Sequence, residues 1–218
     1  MGSPDRPKGV ASKKLTRARA STQSLVPNDD APEIIILVGA NGSGKTTYYN
    51  TFLAGKGLPF INADHIAKDR FGADAEARSR DAAKIAEDTR NQLLTMRMSF
   101  CFETVFSHVS KVDFLVHARS LGYTIKMVAI YTISADLNVA RVSQRVGEGG
   151  HSVPEEKIRE RIPRTHRYIG EALKYCDQFV LLDNSSFDNP YVLKLAKKGG
   201  QFVVINDPLP EFFDKIYR

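Results

Sequence analysis

Residues 34–47 read Ile34-Ile35-Ile36-Leu37-Val38-Gly39-Ala40-Asn41-Gly42-Ser43-Gly44-Lys45-Thr46-Thr47. An apolar run enters a G-x-x-x-x-G-K-[ST] loop, and the segment from Thr47 to Leu53 can continue as a helix. Strand, loop and helix in that order are the context in which this motif carries meaning. Glycines let successive backbone N–H groups curl around a phosphate, and the helix behind them aims its positive end at it. Gly39, Ala40, Asn41, Gly42, Ser43, Gly44, Lys45, Thr46 and Thr47 are therefore expected to bind ATP. Lys45 is expected to reach the β- and γ-phosphates, and the Thr46 hydroxyl to hold Mg²⁺.

Working outward, short apolar runs alternate with helical patterns. A strand at 58–61 ends at Asn62-Ala63-Asp64, and a helix is expected over 74–98, where Ala82, Ile85, Ala86, Leu93 and Met96 form one stripe. Phe100-Cys101-Phe102 reads as a third strand ending at Glu103-Thr104. A helix over 108–121, a strand over 124–132, a helix over 135–146 and a helix over 153–175 follow. Ser152 with Glu155 has the spacing of a capping box for the last of these, and Pro163 inside it predicts a kink. A fifth strand covers 178–182. The runs at 191–195 and 202–205 around Gly199-Gly200 predict a terminal hairpin and closing helix. The expected fold is α/β: a P-loop kinase fold with a largely parallel five-stranded sheet, helices on both faces, and a C-terminal hairpin or helix extension.

The chain has 218 residues and a net charge of +6. Within residues 1–28, six basic residues stand against Asp5 alone; this leaves +5 there and about +1 on everything else. The body is too nearly neutral for a general nucleic-acid face. Residues 1–31 are poor in large apolar side chains and read as an unstructured basic extension, with residues 32–218 as the kinase domain. No apolar run approaches the roughly 20 residues of a membrane helix. Two cysteines, Cys101 and Cys176, imply no disulfide framework, so a reducing, cytoplasmic location is expected.

Ligands of open parallel sheets sit at the carboxyl ends of the strands. Besides the glycine loop, Asp64, Glu103-Thr104 and Asp183-Asn184 fall there. Asp64 can accept the proton of an attacking hydroxyl, or alternatively cap a helix starting at His65. Glu103 can orient Mg²⁺ or grip a substrate hydroxyl. Asp183 reads as a structural or nucleotide-edge residue. The stretch 141–168 gathers Arg141, Arg145, Lys157, Arg159, Arg161, Arg164 and Arg167 around a glycine-rich turn. It reads either as a lid over about 145–168, neutralising charge on a transferring phosphoryl group, or as a solvated basic face. His151, beside the glycines, reads as a surface residue.

These segments together resemble the zeta toxin family of P-loop kinases, specifically its compact chromosomal, UDP-N-acetylglucosamine kinase-like branch. The resemblance covers residues 33–185 and rests on GANGSGKTT at 39–47, INADHIA at 61–67, SFCFETVFS at 99–107, RVSQRVGEGGHSVPEEKIRERIPR at 141–164 and LLDNS at 181–185. It implies ATP-dependent phosphorylation of a small molecule, UDP-N-acetylglucosamine or a related UDP-sugar. It also implies Asp64 as general base, Glu103 and Thr104 as substrate holders, Lys45 as the phosphate lysine, and Arg145, Arg161 and Arg164 as lid arginines. A protein antitoxin acting in trans is implied as partner, because residues 1–31 are too short and polar to supply one in cis. Other readings of the same residues are a kinase for another nucleotide hydroxyl, a nucleotide-dependent switch, and a nucleic-acid-end kinase.

Overall fold

The computed structural model describes residues 31–150 and 152–217, and the side chains of residues 215–217 are not described. His151 and the basic extension up to residue 30 lie outside the described residues.

β1 (Glu33–Val38) is flanked by β3 (Phe100–Thr104) and β4 (Thr124–Tyr131), and β2 (Phe60–Ile61) and β5 (Gln178–Asp183) extend the sheet outward, all in parallel. The hairpin expected as an extension is part of the sheet. β6 (Val192–Lys198) pairs antiparallel with β5, and β7 (Gln201–Val204) with β6. The sheet therefore has seven strands, ordered β2-β3-β1-β4-β5-β6-β7, not five. The two-residue Gly199-Gly200 turn, both with positive φ, folds the hairpin back tightly enough to continue the hydrogen-bond ladder.

Both faces of the central strands are apolar because helices cover both. The α3 (Ser79–Thr95), α4 (Ser110–Ser120), α6 (Glu155–Ala172) and α7 (Glu211–Tyr217) helices bring Ala86, Leu94, Leu115, Ala118, Ile169 and Phe213 onto Ile34, Ile36, Phe100, Phe102, Met127 and Phe179. The opposite face packs Ile35, Leu37, Cys101 and Ile130 beneath Leu53. That residue closes a π-helical segment (Tyr49–Leu53) continuing α1 (Lys45–Tyr48). Cys101 is buried core filler, as its apolar neighbours imply.

The segment expected as one helix over 74–98 divides differently. The α2 helix (Ala63–Phe71) ends at Gly72, whose φ of 51° stops it, and a short 3-10 turn precedes α3. Ser152 does not cap α6: the helix begins at Glu155 with Pro154 in the N-cap position and no side-chain cap. Pro163 does not break α6, which runs through it to Ala172.

Candidate active site

Register brings the strand ends level. Leu37 and Val38 sit beside Glu103 and Thr104, so the acid on β3 flanks the loop leaving β1. The loop is held in one shape by close contacts. A Cβ on Gly39 would lie 2.1 Å from the Ile130 carbonyl oxygen, one on Gly42 2.4 Å from the Asn138 oxygen, and one on Gly44 2.3 Å from Asn184 Nδ2. All three glycines also have positive φ. Only glycine satisfies both conditions at once.

The side chains that brace this loop are polar and come from elsewhere in the chain. Asn138, buried on α5 (Ala135–Gly147), donates to the Asn41 carbonyl at 2.8 Å. Asn184, just past β5, donates to the Ser43 carbonyl at 2.8 Å. Tyr191 donates its hydroxyl to the Gly44 carbonyl at 2.9 Å. Each ties down a carbonyl of the loop, and the Ser43 N–H donates to the Ala40 carbonyl at 3.2 Å within it. Sequence reading had no role for Asn138 or Tyr191. The available signal was an asparagine one turn before the buried Val142, on the apolar stripe of an amphipathic helix.

Lys45 is buried and its ammonium donates to the Ala40 carbonyl at 2.9 Å. Burial lowers its pKa, Glu103 and then Asp64 oppose that, and Arg145 adds to the lowering. All three charges therefore act on the same ammonium. The Thr46 hydroxyl donates to Glu103 at 2.7 Å. A hydroxyl and a carboxylate at the mouth of the phosphate loop are the oxygen donors that a hard cation such as Mg²⁺ takes. The chemistry of these two groups fits the ion. The Ser43 hydroxyl is buried without a hydrogen-bond partner, a spare donor within the cradle.

Asp64 lies in the first turn of α2, exposed to solvent. It is not the cap of that helix. Asn62 caps it, its side-chain oxygen accepting from the N–H groups of Asp64 at 2.8 Å and His65 at 3.3 Å. The Asp64 carboxylate makes no hydrogen bond among the described residues and faces Lys45 electrostatically. Thr104 accepts from the Phe106 N–H at 3.1 Å, shaping the turn after β3.

The arginines separate into two groups. Arg145 bears on Lys45 from the end of α5, and Arg161 on α6 reaches Asn41 Oδ1 of the phosphate loop at 3.4 Å. Arg164, by contrast, pairs with Glu160 on its own helix at 3.0 Å and is half-exposed. Arg141 donates to the Asn184 carbonyl at 2.8 Å, bracing rather than facing the cradle. Asp183 accepts from the Tyr131 hydroxyl and from Ser185, which makes it a structural residue here. Among the described residues, no group of three or more His, Cys, Asp or Glu side chains could hold a metal ion alone. No described helix is long and apolar enough to cross a membrane.

The sequence profile of the zeta toxin family matches residues 16–175. The chain belongs to the zeta toxin family. Its fold is the P-loop kinase fold, and solved structures share it. One chain of the AvrRxo1-ORF1:AvrRxo1-ORF2 complex with sulphate ions superposes with a TM-score of 0.68 at 19% identity, over 85% of this chain and 63% of that one. The same pair with ATP gives a TM-score of 0.65 at 19% identity and the same coverage. This zeta toxin family chain thus spans about 63% of the length of those relatives. A chain of the PezAT chromosomal toxin–antitoxin system of Streptococcus pneumoniae gives 0.56 at 18% identity, over 75% of this chain and 70% of that one. An uncharacterized protein of Haemophilus influenzae is 27% identical over 127 residues, covering 58% of this chain and 90% of that protein.

Proposed function

We propose that this protein transfers the γ-phosphate of ATP to a hydroxyl of a small molecule, with UDP-N-acetylglucosamine or a related UDP-sugar as acceptor. The observation that carries the reading is the convergence of Asp64, Glu103 and Arg145 on Lys45, with Thr46 hydrogen-bonded to Glu103. The glycine loop, from Gly39 to Thr47, holds the triphosphate through its N–H groups. Lys45 exchanges its bond to the Ala40 carbonyl for the terminal phosphates. Thr46 and Glu103 would hold Mg²⁺, which would supply positive charge against the phosphate oxygens. Asp64, exposed and with no hydrogen bond to its carboxylate among the described residues, takes the proton of the acceptor hydroxyl as it attacks. Arg145 and Arg161 neutralise charge gathering on the transferring group from the α5–α6 side. Arg164 joins them on leaving Glu160. Glu103 and Thr104 border the acceptor.

The complexes with AvrRxo1-ORF2 and the naming of PezAT as a toxin–antitoxin system support a further reading: this chain is the toxin of such a pair and binds a separate antitoxin.

Incubation with ATP, Mg²⁺ and a panel of UDP-sugars and nucleotides, followed by mass spectrometry, tests the activity. The expected product is a UDP-sugar heavier by one phosphate. Asp64→Asn is expected to lower kcat by about 10³-fold, the middle of the range for loss of a general base. ATP turnover without any phosphorylated acceptor, unchanged in Asp64→Asn, would make the protein a nucleotide switch instead.

A further inference from the structure

Arg90 on α3 is only 6% exposed. Its guanidinium carbon lies 5.0 Å from the ring centroid of Phe102 on β3 and 5.7 Å from that of Phe114 on α4. Nε is buried without a hydrogen-bond partner, and no hydrogen bond or ion pair reaches the rest of the guanidinium among the described residues. Two aromatic faces attract the cation but do not replace the hydrogen-bonded anion that a buried guanidinium calls for.

A second cation stands beside it. Lys111 is half-buried in the first turn of α4, three residues before Phe114, so the two share one side of the helix. Burial lowers the Lys111 pKa, the Arg90 charge lowers it further, and Glu87 opposes both. Glu87 is also the carboxylate that acts on Arg90, and it is exposed to solvent one turn away on α3. Two cations thus meet between α3 and α4, and the solvated Glu87 acts on both.

The place is informative. Phe102 immediately precedes Glu103, and Thr104 points to the same face of β3 as Phe102, about 7 Å further along the strand. The α4 helix begins just past the turn that follows Thr104, and α3 packs against α2, the helix bearing Asp64. The cation pair therefore lies on the β3 side of the sheet, away from Asn138, Asn184 and Tyr191, which brace the phosphate loop from the β4–β5 side.

Building on the kinase reading above, we propose that Arg90 and Lys111 form an anion subsite for the acceptor, gripping its phosphate group while its hydroxyl meets Asp64. The planar fork of Arg90 presents paired N–H donors, and Lys111 adds a point charge, a combination suited to a doubly charged phosphate.

The test uses protein saturated with a non-hydrolysable ATP analogue and Mg²⁺, so that the nucleotide cradle is filled. Inorganic pyrophosphate is then titrated by calorimetry. Saturable binding is expected in the native protein, weakened about 10-fold or more by Arg90→Met and by Lys111→Met, and largely retained by Arg90→Lys. Thermal unfolding reports whether Arg90→Met folds, and Lys111→Met, at a half-buried position, carries the test if it does not. Equal binding by all variants, no saturable binding by the native protein, or tighter binding of malonate than of pyrophosphate would overturn the subsite. A UDP-N-acetylglucosamine turnover assay separates the two readings. Arg90-dependent pyrophosphate binding with no phosphate transfer to any acceptor removes the kinase reading and leaves the subsite. Phosphate transfer with an unchanged KM in Lys111→Met removes the subsite and leaves the kinase.

Discussion

The phosphate loop follows β1 and the α2–α3 pair follows β2, and the two are built by different means. In the loop, Ser43 and Lys45 are buried, three carbonyls are tied by Asn138, Asn184 and Tyr191, and three glycines leave no room for a Cβ. In α2 only Ala67 is buried, and Asp64 and His65 stand in solvent. The α3 helix rests on a narrow stripe of four buried residues, Ala82, Ala86, Arg90 and Leu94, two of them alanines. The triphosphate is the same in every ATP-dependent reaction, so its cradle gains from rigidity. Acceptors differ, and the side proposed to meet them buries a single residue of α2, the kind of segment that opens most readily.

The contrast can be broken most forcefully at Gly39. Gly39→Ala pushes a methyl group into the Ile130 carbonyl at a φ of 151°, and is expected to cost about 3 kcal/mol or more in denaturant unfolding, with loss of ATP binding. Asp64→Asn, on the loosely held side, should leave stability within about 0.5 kcal/mol, because its exposed carboxylate makes no hydrogen bond among the described residues. Comparable losses from the two substitutions would erase the distinction.

The arginines sharpen it. Arg145→Ala is expected to reduce phosphate transfer about 100-fold, a loss within the range for a charge aimed at the transition state. Arg164→Ala, which removes an exposed i,i+4 pair with Glu160, should cost under about 0.5 kcal/mol in stability. Single-turnover kinetics then decide whether Arg164 leaves Glu160 to join the reaction. A loss as large as that of Arg145→Ala shows that it does, and a loss below about 3-fold shows that it stays on its helix.

A pH dependence is also expected beneath the loop. His166 stacks on Phe212 of α7 with centroids 3.5 Å apart, and burial pushes its pKa down to about 4. The folded state therefore binds this proton less readily than the unfolded chain does. Its contribution is complete above the unfolded value near 6.5, falls as pH drops below it, and levels off below about 4. Acid titration of the unfolding free energy should show a loss of about 1–2 kcal/mol across that window, given the part of the ring that meets solvent. His166→Phe should abolish it.

Much of the fold was legible because it is written in local pattern. Hydrophobic runs of strand length alternated with helical stripes, and the glycine loop sat between the first strand and helix, where its chemistry requires it. The hairpin was legible as a hairpin. That it would extend the main sheet was not, since pairing of β6 with β5 is a contact between distant segments. Ser152 and Glu155 had capping-box spacing, yet the helix starts at Glu155, behind Pro154. The candidate site was legible where one residue type does one job, as at Lys45 and Thr46. It was opaque where a common residue acts through position. Asn138 and Tyr191 carry no sign in one dimension that they fasten the phosphate loop.

The sequence alone determined the phosphate cradle, the order of strands and helices, and the acids at the strand ends, because these depend on neighbours in the chain and on backbone freedom. Tertiary structure decided which arginines face the loop, what braces it, and that Arg90 is buried beside two phenylalanine rings with no hydrogen-bonded anion among the described residues. Those outcomes rest on burial and on distances between residues far apart in the chain, and composition or spacing does not encode them.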